Sequence, residues 1–224
     1  ITSRPVLLPR KHAVAQRPRG LVPHDQVWQA VGGLPRPVDR DDVRVLGQGA
    51  DGLELNLSCP HMDRPDMGSN IGKDQALCSF VTQVVKEVAR VPVWAKLTPA
   101  TGNIVVEAGA VFRGGGDAVS SSNTFPSIPL IDPETLEFEM NVDGCVASGG
   151  LGGPAILPQA LAMMSQMTRA FPTASFSGIG GVSDFTHALN YFLLGGGTVQ
   201  VCTAAMLDGA IGPNVIKALH SGLA

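Results

Sequence analysis

Leu53-Glu54-Leu55-Asn56-Leu57-Ser58-Cys59-Pro60-His61 is the stretch that decides how this chain folds. Alternation with a period of two puts Leu53, Leu55 and Leu57 on one face of a strand and Glu54, Asn56 and Ser58 on the other. One face therefore carries an acid, an amide and a hydroxyl, and the C-terminal end delivers a thiol. Such a strand end suits the wall of an enzyme site, although a free cysteine is as often a small buried hydrophobe.

Downstream, short apolar strands alternate with amphipathic helices. Leu77, Phe80, Val81, Val84, Val85 and Val88 mark one helix face, with Asp74 placed to cap it. Residues 91–97 read as a second strand. Ile104, Val105, Ala108, Val111 and Phe112 mark a further helix, which Gly114-Gly115-Gly116 ends. Residues 118–122 form a third strand that leads into Asn123 and Thr124. Pro158 starts a helix striped by Leu161, Met164 and Met167, a pattern that belongs to a core more often than to a binding surface. Residues 175–179 make a fourth strand, residues 184–194 a helix with Ser183 as its cap, and residues 198–202 a fifth strand.

Successive βα units imply parallel strands with right-handed crossovers, hence a doubly wound sheet or a (β/α)8 barrel. Both architectures gather functional groups at the C-terminal ends of their strands. Here those ends are residues 56–59, Lys96, Asn123 with Thr124, residues 178–181 and residues 200–203. Gly178-Ile179-Gly180-Gly181 and Val201-Cys202-Thr203-Ala204 close consecutive strands, so their backbone N–H groups can converge on an anion. Glycine permits the positive φ that such a nest needs, and it equally makes ordinary tight turns.

Composition narrows the class. The 224 residues, 44% hydrophobic with 27 glycines and few aromatics, suit a globular α/β chain. No apolar run is long enough to span a bilayer and no secretory leader is legible, so a cytoplasmic location is expected. Cysteines 59, 78, 145 and 202 form no CxxC pair, which argues against a zinc or iron–sulfur site within the chain. Residues 1–48 hold eight of the 16 Lys and Arg against four acidic residues, and six of the 17 prolines. Repeated proline blocks helix interiors, so this basic segment is expected to be irregular and distinct from residues 49–224. It lacks the aromatic interleaving of a nucleic-acid arm.

Six motifs in order carry a resemblance: residues 54–61, Ala95-Lys96-Leu97-Thr98-Pro99, Ser122-Asn123-Thr124, residues 149–155 (Gly-Gly-Leu-Gly-Gly-Pro-Ala), Ser177-Gly178-Ile179-Gly180-Gly181 and residues 199–204. Together they resemble the FMN-binding barrel of dihydropyrimidine dehydrogenases, the bacterial catalytic-subunit type in particular, within the wider dihydroorotate dehydrogenase-like class. His61 is the discriminating detail, since dihydroorotate enzymes usually carry Asn there, and Cys202 stands where they usually have Gly. The resemblance covers residues 49–210.

It implies a (β/α)8 TIM-type barrel of which strands four to eight are recognisable, and flavin-dependent reduction of the 5,6 double bond of uracil or thymine. A dihydroorotate-type reaction and a catalytically incompetent barrel fragment are the alternatives. By this resemblance Cys59 is the proton donor, and Asn56, Leu57, Ser58, Asn123 and Thr124 hold the pyrimidine, Leu57 only through its backbone or packing. Lys96 contacts the flavin ring, while Gly153, Ile179, Gly180, Gly181, Cys202 and Thr203 surround the FMN ribityl-phosphate. Amides and hydroxyls match a neutral ring with alternating N–H and C=O groups. NAD(H) and iron–sulfur clusters would enter only through a partner subunit, and neither nucleic acid nor membrane is implied. The family's first three strands, with a second flavin lysine, have no counterpart in residues 1–48. Residues 125–147, with Asp132, Glu134, Glu137, Glu139 and Asp143, are expected to form a long acidic loop over the site.

Overall fold

The computed structural model describes residues 51–59, 68–140 and 149–222. The expectations for residues 1–48, for His61 and for Asp143 and Cys145 lie outside those residues. Seven strands are seen: β1 (Leu53–Asn56), β2 (Val93–Lys96), β3 (Ala118–Ser121), β4 (Phe125–Ser127), β5 (Gly149–Leu151), β6 (Ser175–Ile179) and β7 (Thr198–Gln200). Between and after them lie helices α1 (Gln75–Val88), α2 (Ile104–Arg113), α3 (Leu157–Ala170), α4 (Phe185–Leu193), α5 (Thr203–Leu207) and α6 (Ile211–Gly222).

The main sheet runs β1-β2-β3-β6-β7 with every pair parallel. Its order follows the chain without reversal, so it has no switch point. A doubly wound sheet reverses its order and covers both faces with helices. Here the two faces differ in chemistry. Leu55, Val93, Ala95, Val119 and Phe176 are buried on one side, whereas Glu54, Asn56, Trp94, Lys96, Ser120, Ser177 and Gln200 occupy the other, as the register and alternation require. The helices pack side by side in the order α1, α2, α3, α4, α6, with α1 against β2, α3 against β6 and α4 against β7. The fold is therefore an arc of a (β/α)8-type barrel, apolar toward its helices and polar toward its interior.

Local chemistry explains the elements. Asp74 Oδ1 accepts from the N–H groups of Ala76 and Leu77 (2.8 and 3.0 Å) and so caps α1 as anticipated. The buried stripe of that helix is Cys78, Val81, Thr82, Val85 and Val88. Phe80 falls on the opposite side and is 51% exposed, so it is no part of the core. Thr82 is tolerated inside because its hydroxyl donates to Cys78 O (2.7 Å). Cys78 donates to Ile71 O (3.0 Å), and burial, aided by the negative charge of Glu107, pushes its thiol up to about 12. This cysteine is structural. In α4 the cap is Asp184 rather than Ser183: Asp184 Oδ1 accepts from the N–H groups of Thr186 and His187 (2.8 and 3.0 Å).

Residues 125–140 are more ordered than a plain loop. β4 pairs antiparallel with β5, and Ile131 bridges Phe138. Asp132 turns the segment locally, accepting from Glu134 and Thr135 N–H, while Glu134, Glu137 and Glu139 are exposed. A Gly-Gly strand such as β5 has no side chains to signal it, which is why alternation missed this pair.

Candidate active site

β1 is shorter than its alternation suggested, ending at Asn56, and the chain turns through Leu57 and Ser58. The turn is fixed by Leu57 N–H, which donates to Lys96 O (3.1 Å), and by Gly72, where a methyl group would stand 2.1 Å from Leu57 O. Leu57 is fully buried among core residues, so any role in binding falls to its backbone and its packing.

Four of the five residues expected to bind the pyrimidine form one hydrogen-bonded chain. Ser58 Oγ donates to Asn56 Oδ1 (2.7 Å), and Asn123 Nδ2 donates to Ser58 Oγ (2.8 Å) and Ser58 O (3.1 Å). Asn123 Oδ1 in turn accepts from Thr124 N–H (2.8 Å). The amide of β3's exit is thus locked onto β1's exit. Asn123 is carried there by backbone bonds on both sides: Ser122 N–H donates to Ile179 O (3.0 Å) and Asn123 N–H to Leu97 O (3.1 Å). Cys59 follows directly, partly exposed, its carbonyl accepting from Ser69 N–H (2.8 Å) where the chain returns.

Lys96 closes β2 on the polar face, opposite Asn56 in register. Its Nζ lies 3.7 Å from Glu54 Oε1. Glu54, a face-mate of Asn56 by alternation, is not among the expected site residues. In the fold it is the hub of the interior: its Oε2 accepts from Trp94 Nε1 (2.5 Å), Gln200 Nε2 (2.7 Å) and Ser120 Oγ (3.0 Å). Gln200 also donates to Ser177 Oγ (3.2 Å). Alternation would have found the hub had it been continued across all five strands, because Glu54, Lys96, Ser120, Ser177 and Gln200 share one face.

The glycine-rich turns also converge. Gly180 and Gly181 have φ of +121° and +76°, and Gly153 has +79°. A methyl on Gly181 would stand 2.6 Å from Leu157 Cβ, and one on Gly153 would stand 3.2 Å from Thr203 Cγ2. Gly150 runs so close to Thr124 that a methyl would meet its Oγ1 at 2.0 Å. β5 thus crosses between the β3 exit and Thr203, bringing Gly153 to the mouths of β6 and β7. Ile179 ends β6, and Cys202, exposed, precedes the short helix α5 that begins at Thr203. Tyr191 of α4 sets the turn, donating its hydroxyl to Gly180 O (2.7 Å). Burial raises the tyrosine's pKa, keeping that proton in place.

Such backbone-lined cradles hold phosphates without needing a cation. The positive-φ glycines and the adjoining Thr203 hydroxyl form a cradle whose chemistry fits the phosphate of a flavin mononucleotide. One other cluster looks catalytic but is not. Ser183 Oγ and Asp184 Oδ2 approach the same ring nitrogen of His187 (3.0 and 3.5 Å), an arrangement that caps α4 and cannot relay a proton through the ring. Among the described residues no His, Cys, Asp and Glu cluster could hold a metal ion, and no helix is long and apolar enough to cross a membrane.

Comparison with known proteins agrees with this fold. Residues 40–223 match the family model described as dihydroorotate dehydrogenase. The chain is 39% identical over 172 residues to the chloroplastic dihydropyrimidine dehydrogenase (NADP(+)) of Arabidopsis thaliana, covering 74% of this chain and 40% of that one. It is 36% identical over 205 residues to the NAD-dependent dihydropyrimidine dehydrogenase subunit PreA of Escherichia coli, covering 89% and 46%. It is 37% identical over 174 residues to the catalytic subunit of dihydroorotate dehydrogenase B (NAD(+)) from Methanothermobacter thermautotrophicus, covering 78% and 54%. The chain therefore spans about half the length of the curated relatives it matches. Among solved structures, the Eimeria tenella dihydroorotate dehydrogenase in complex with ferulenol superposes with a TM-score of 0.65 at 18% identity, over 82% of this chain and 54% of that one.

Proposed function

Since the chain belongs to the dihydroorotate dehydrogenase family of flavin-dependent oxidoreductases, we propose that its site serves the reduction of the 5,6 double bond of uracil or thymine. The observation that carries this choice is the neutral hydrogen-bonded chain Asn56–Ser58–Asn123–Thr124. All four of these side chains are neutral, which gives a charged carboxylate no partner of opposite sign among them. Lys96, the cation on the adjoining strand, is the residue we place at the flavin ring rather than at the pyrimidine. A neutral pyrimidine instead presents alternating N–H donors and C=O acceptors, which amides and hydroxyls can match group by group.

Gly153, Ile179, Gly180, Gly181, Cys202 and Thr203 would hold FMN at its ribityl-phosphate, and Lys96 would lie at its ring. When bound, FMN supplies the hydride. Lys96 places a positive charge where negative charge would develop on the ring. Asn56, Ser58, Asn123 and Thr124 orient the pyrimidine, and because they are already bonded to one another they do so with little reorganisation. Cys59 holds the proton on Sγ for the carbon that does not receive hydride, a task for which a thiol is a competent acid near neutral pH. Relatives named as subunits of NAD-dependent dehydrogenases support a partner subunit that handles NAD(H), and a flavin and iron–sulfur clusters in that partner are what the family resemblance implies.

The test is Cys59→Ala. In the FMN-loaded chain the variant should bind uracil normally but reoxidise the reduced flavin about 10²-fold more slowly or worse. An unchanged rate would remove Cys59 from the chemistry.

A further inference from the structure

Glu54 is an acid on the interior face of a barrel, only 23% exposed, with a donor set that the substrate and phosphate contacts do not use. Its two oxygens are treated differently. Oε2 is saturated by three neutral donors from three other strands: Trp94 on β2, Ser120 on β3 and Gln200 on β7. Four strands thereby fix the plane of the carboxyl group. Oε1 is left for Lys96, whose Nζ stands at 3.7 Å, near enough for a strong charge–charge attraction in a half-buried site but beyond an ordinary hydrogen bond. The ammonium is thus held in place without any of its three donors being committed to Glu54.

We propose that Glu54 is the positioning residue for Lys96: the carboxylate, locked by Trp94, Ser120 and Gln200, holds the ammonium at the mouth of the barrel with its donors free for a ligand. Two features set this apart from a polar core that merely satisfies itself. A purely structural carboxylate would gain most from a direct, short bond to its cation, because buried ion pairs are stabilising only with close geometry. Here the short bonds all come from neutral groups. In addition, Lys96 has a long flexible stem, and a lysine that must meet a planar ring at one place needs something to remove that freedom. The role rests on Lys96 facing the flavin, as proposed above.

The experiment compares wild type with Glu54→Gln, Lys96→Met and the double variant, each as the full chain. Without flavin, the acetylation rate of Lys96 is followed by peptide mass spectrometry. With FMN, its dissociation constant and the midpoint potential of the bound flavin are measured. Glu54→Gln should raise Lys96 acetylation at least fivefold. It should also weaken FMN at least tenfold and move the potential in the same direction as Lys96→Met, and it should add nothing in the Lys96→Met background. If Glu54→Gln does not fold, Gln200→Met, which removes one of the three neutral donors, should give a smaller change in the same direction. Unchanged Lys96 acetylation while FMN still binds, or a potential that moves opposite to Lys96→Met, would overturn the positioning role alone. Failure of the wild-type chain to bind FMN would overturn the flavin site itself and the role with it.

Discussion

Asn123 shows how much rests on single side chains in this site. Its amide joins β1's exit to β3's and caps Thr124, so Asn123→Ala breaks four hydrogen bonds at once. We expect it to cost about 1–3 kcal/mol of stability, from polar groups left unpaired, and to weaken uracil binding at least tenfold by isothermal titration. Tyr191 is a second such residue, seen only in the fold. Its hydroxyl satisfies Gly180 O from the helix behind the sheet, where Gly178 makes room: a methyl there would sit 2.3 Å from the tyrosine ring. Tyr191→Phe should lower stability by about 1–3 kcal/mol in urea titration and raise the FMN dissociation constant, because the Gly180–Gly181 turn loses its anchor. The sequence offered Cys59, Lys96 and the Asn pair openly, since each stands in a local motif. Glu54 and Gln200 are hard to connect from sequence because their contact joins residues far apart in the chain, on the two edge strands of the arc.

At the scale of elements, α4 carries a pH-dependent cap. The hydrogen bond from the Thr186 hydroxyl to Asp184, together with the N–H groups of Thr186 and His187 and the nearby His187, outweighs slight burial and holds the Asp184 carboxyl below its ordinary 3.8. A carboxyl lowered in the folded state stabilises at pH above its unfolded value, and that contribution is lost as pH falls through the folded value. Asp184→Ala should therefore cost about 0.5–2 kcal/mol at pH 7 by thermal melting, and the difference from wild type should shrink as pH falls below about 4. Helix positions were legible from apolar spacing, but caps and flanks were less so. Ser183 and Asp184 are both good capping residues, and only the backbone decides between neighbours. Phe80 fits a helical stripe by spacing, yet Cys78 and Thr82 take the inward face because α1 packs on α2 and β2 at that angle. The β4–β5 pair escaped notice for a different reason. Glycine gives no propensity signal, and at Gly150 the strand runs so close to Thr124 that only glycine fits.

For the whole molecule, one polar and one apolar face on a sheet in chain order decide the architecture. The sequence alone left a doubly wound sheet open, since both folds share the same βα alternation. What separates them is where the second face of the sheet points. Asn56, Ser58, Asn123 and Thr124 join at the exits of β1 and β3, and Gly153 meets Thr203 just after β7, so ligand binding there should be coupled to the stability of the sheet. FMN at 100 times its dissociation constant should stabilise the chain by about 2.7 kcal/mol, read as a rise in melting temperature that grows with FMN concentration. Riboflavin, which lacks the phosphate, should give much less, because the Gly153, Gly180 and Gly181 cradle would have no anion to hold.

On the function proposed above, this end of the sheet reduces a neutral pyrimidine with hydride from bound FMN. The most direct test is anaerobic single-turnover mixing of the FMN-loaded, chemically reduced chain with uracil, thymine or orotate, followed by the return of the oxidised flavin absorbance. Uracil or thymine should restore the oxidised spectrum at a rate that saturates with pyrimidine concentration, and orotate should not. Reoxidation by orotate alone would contradict the account.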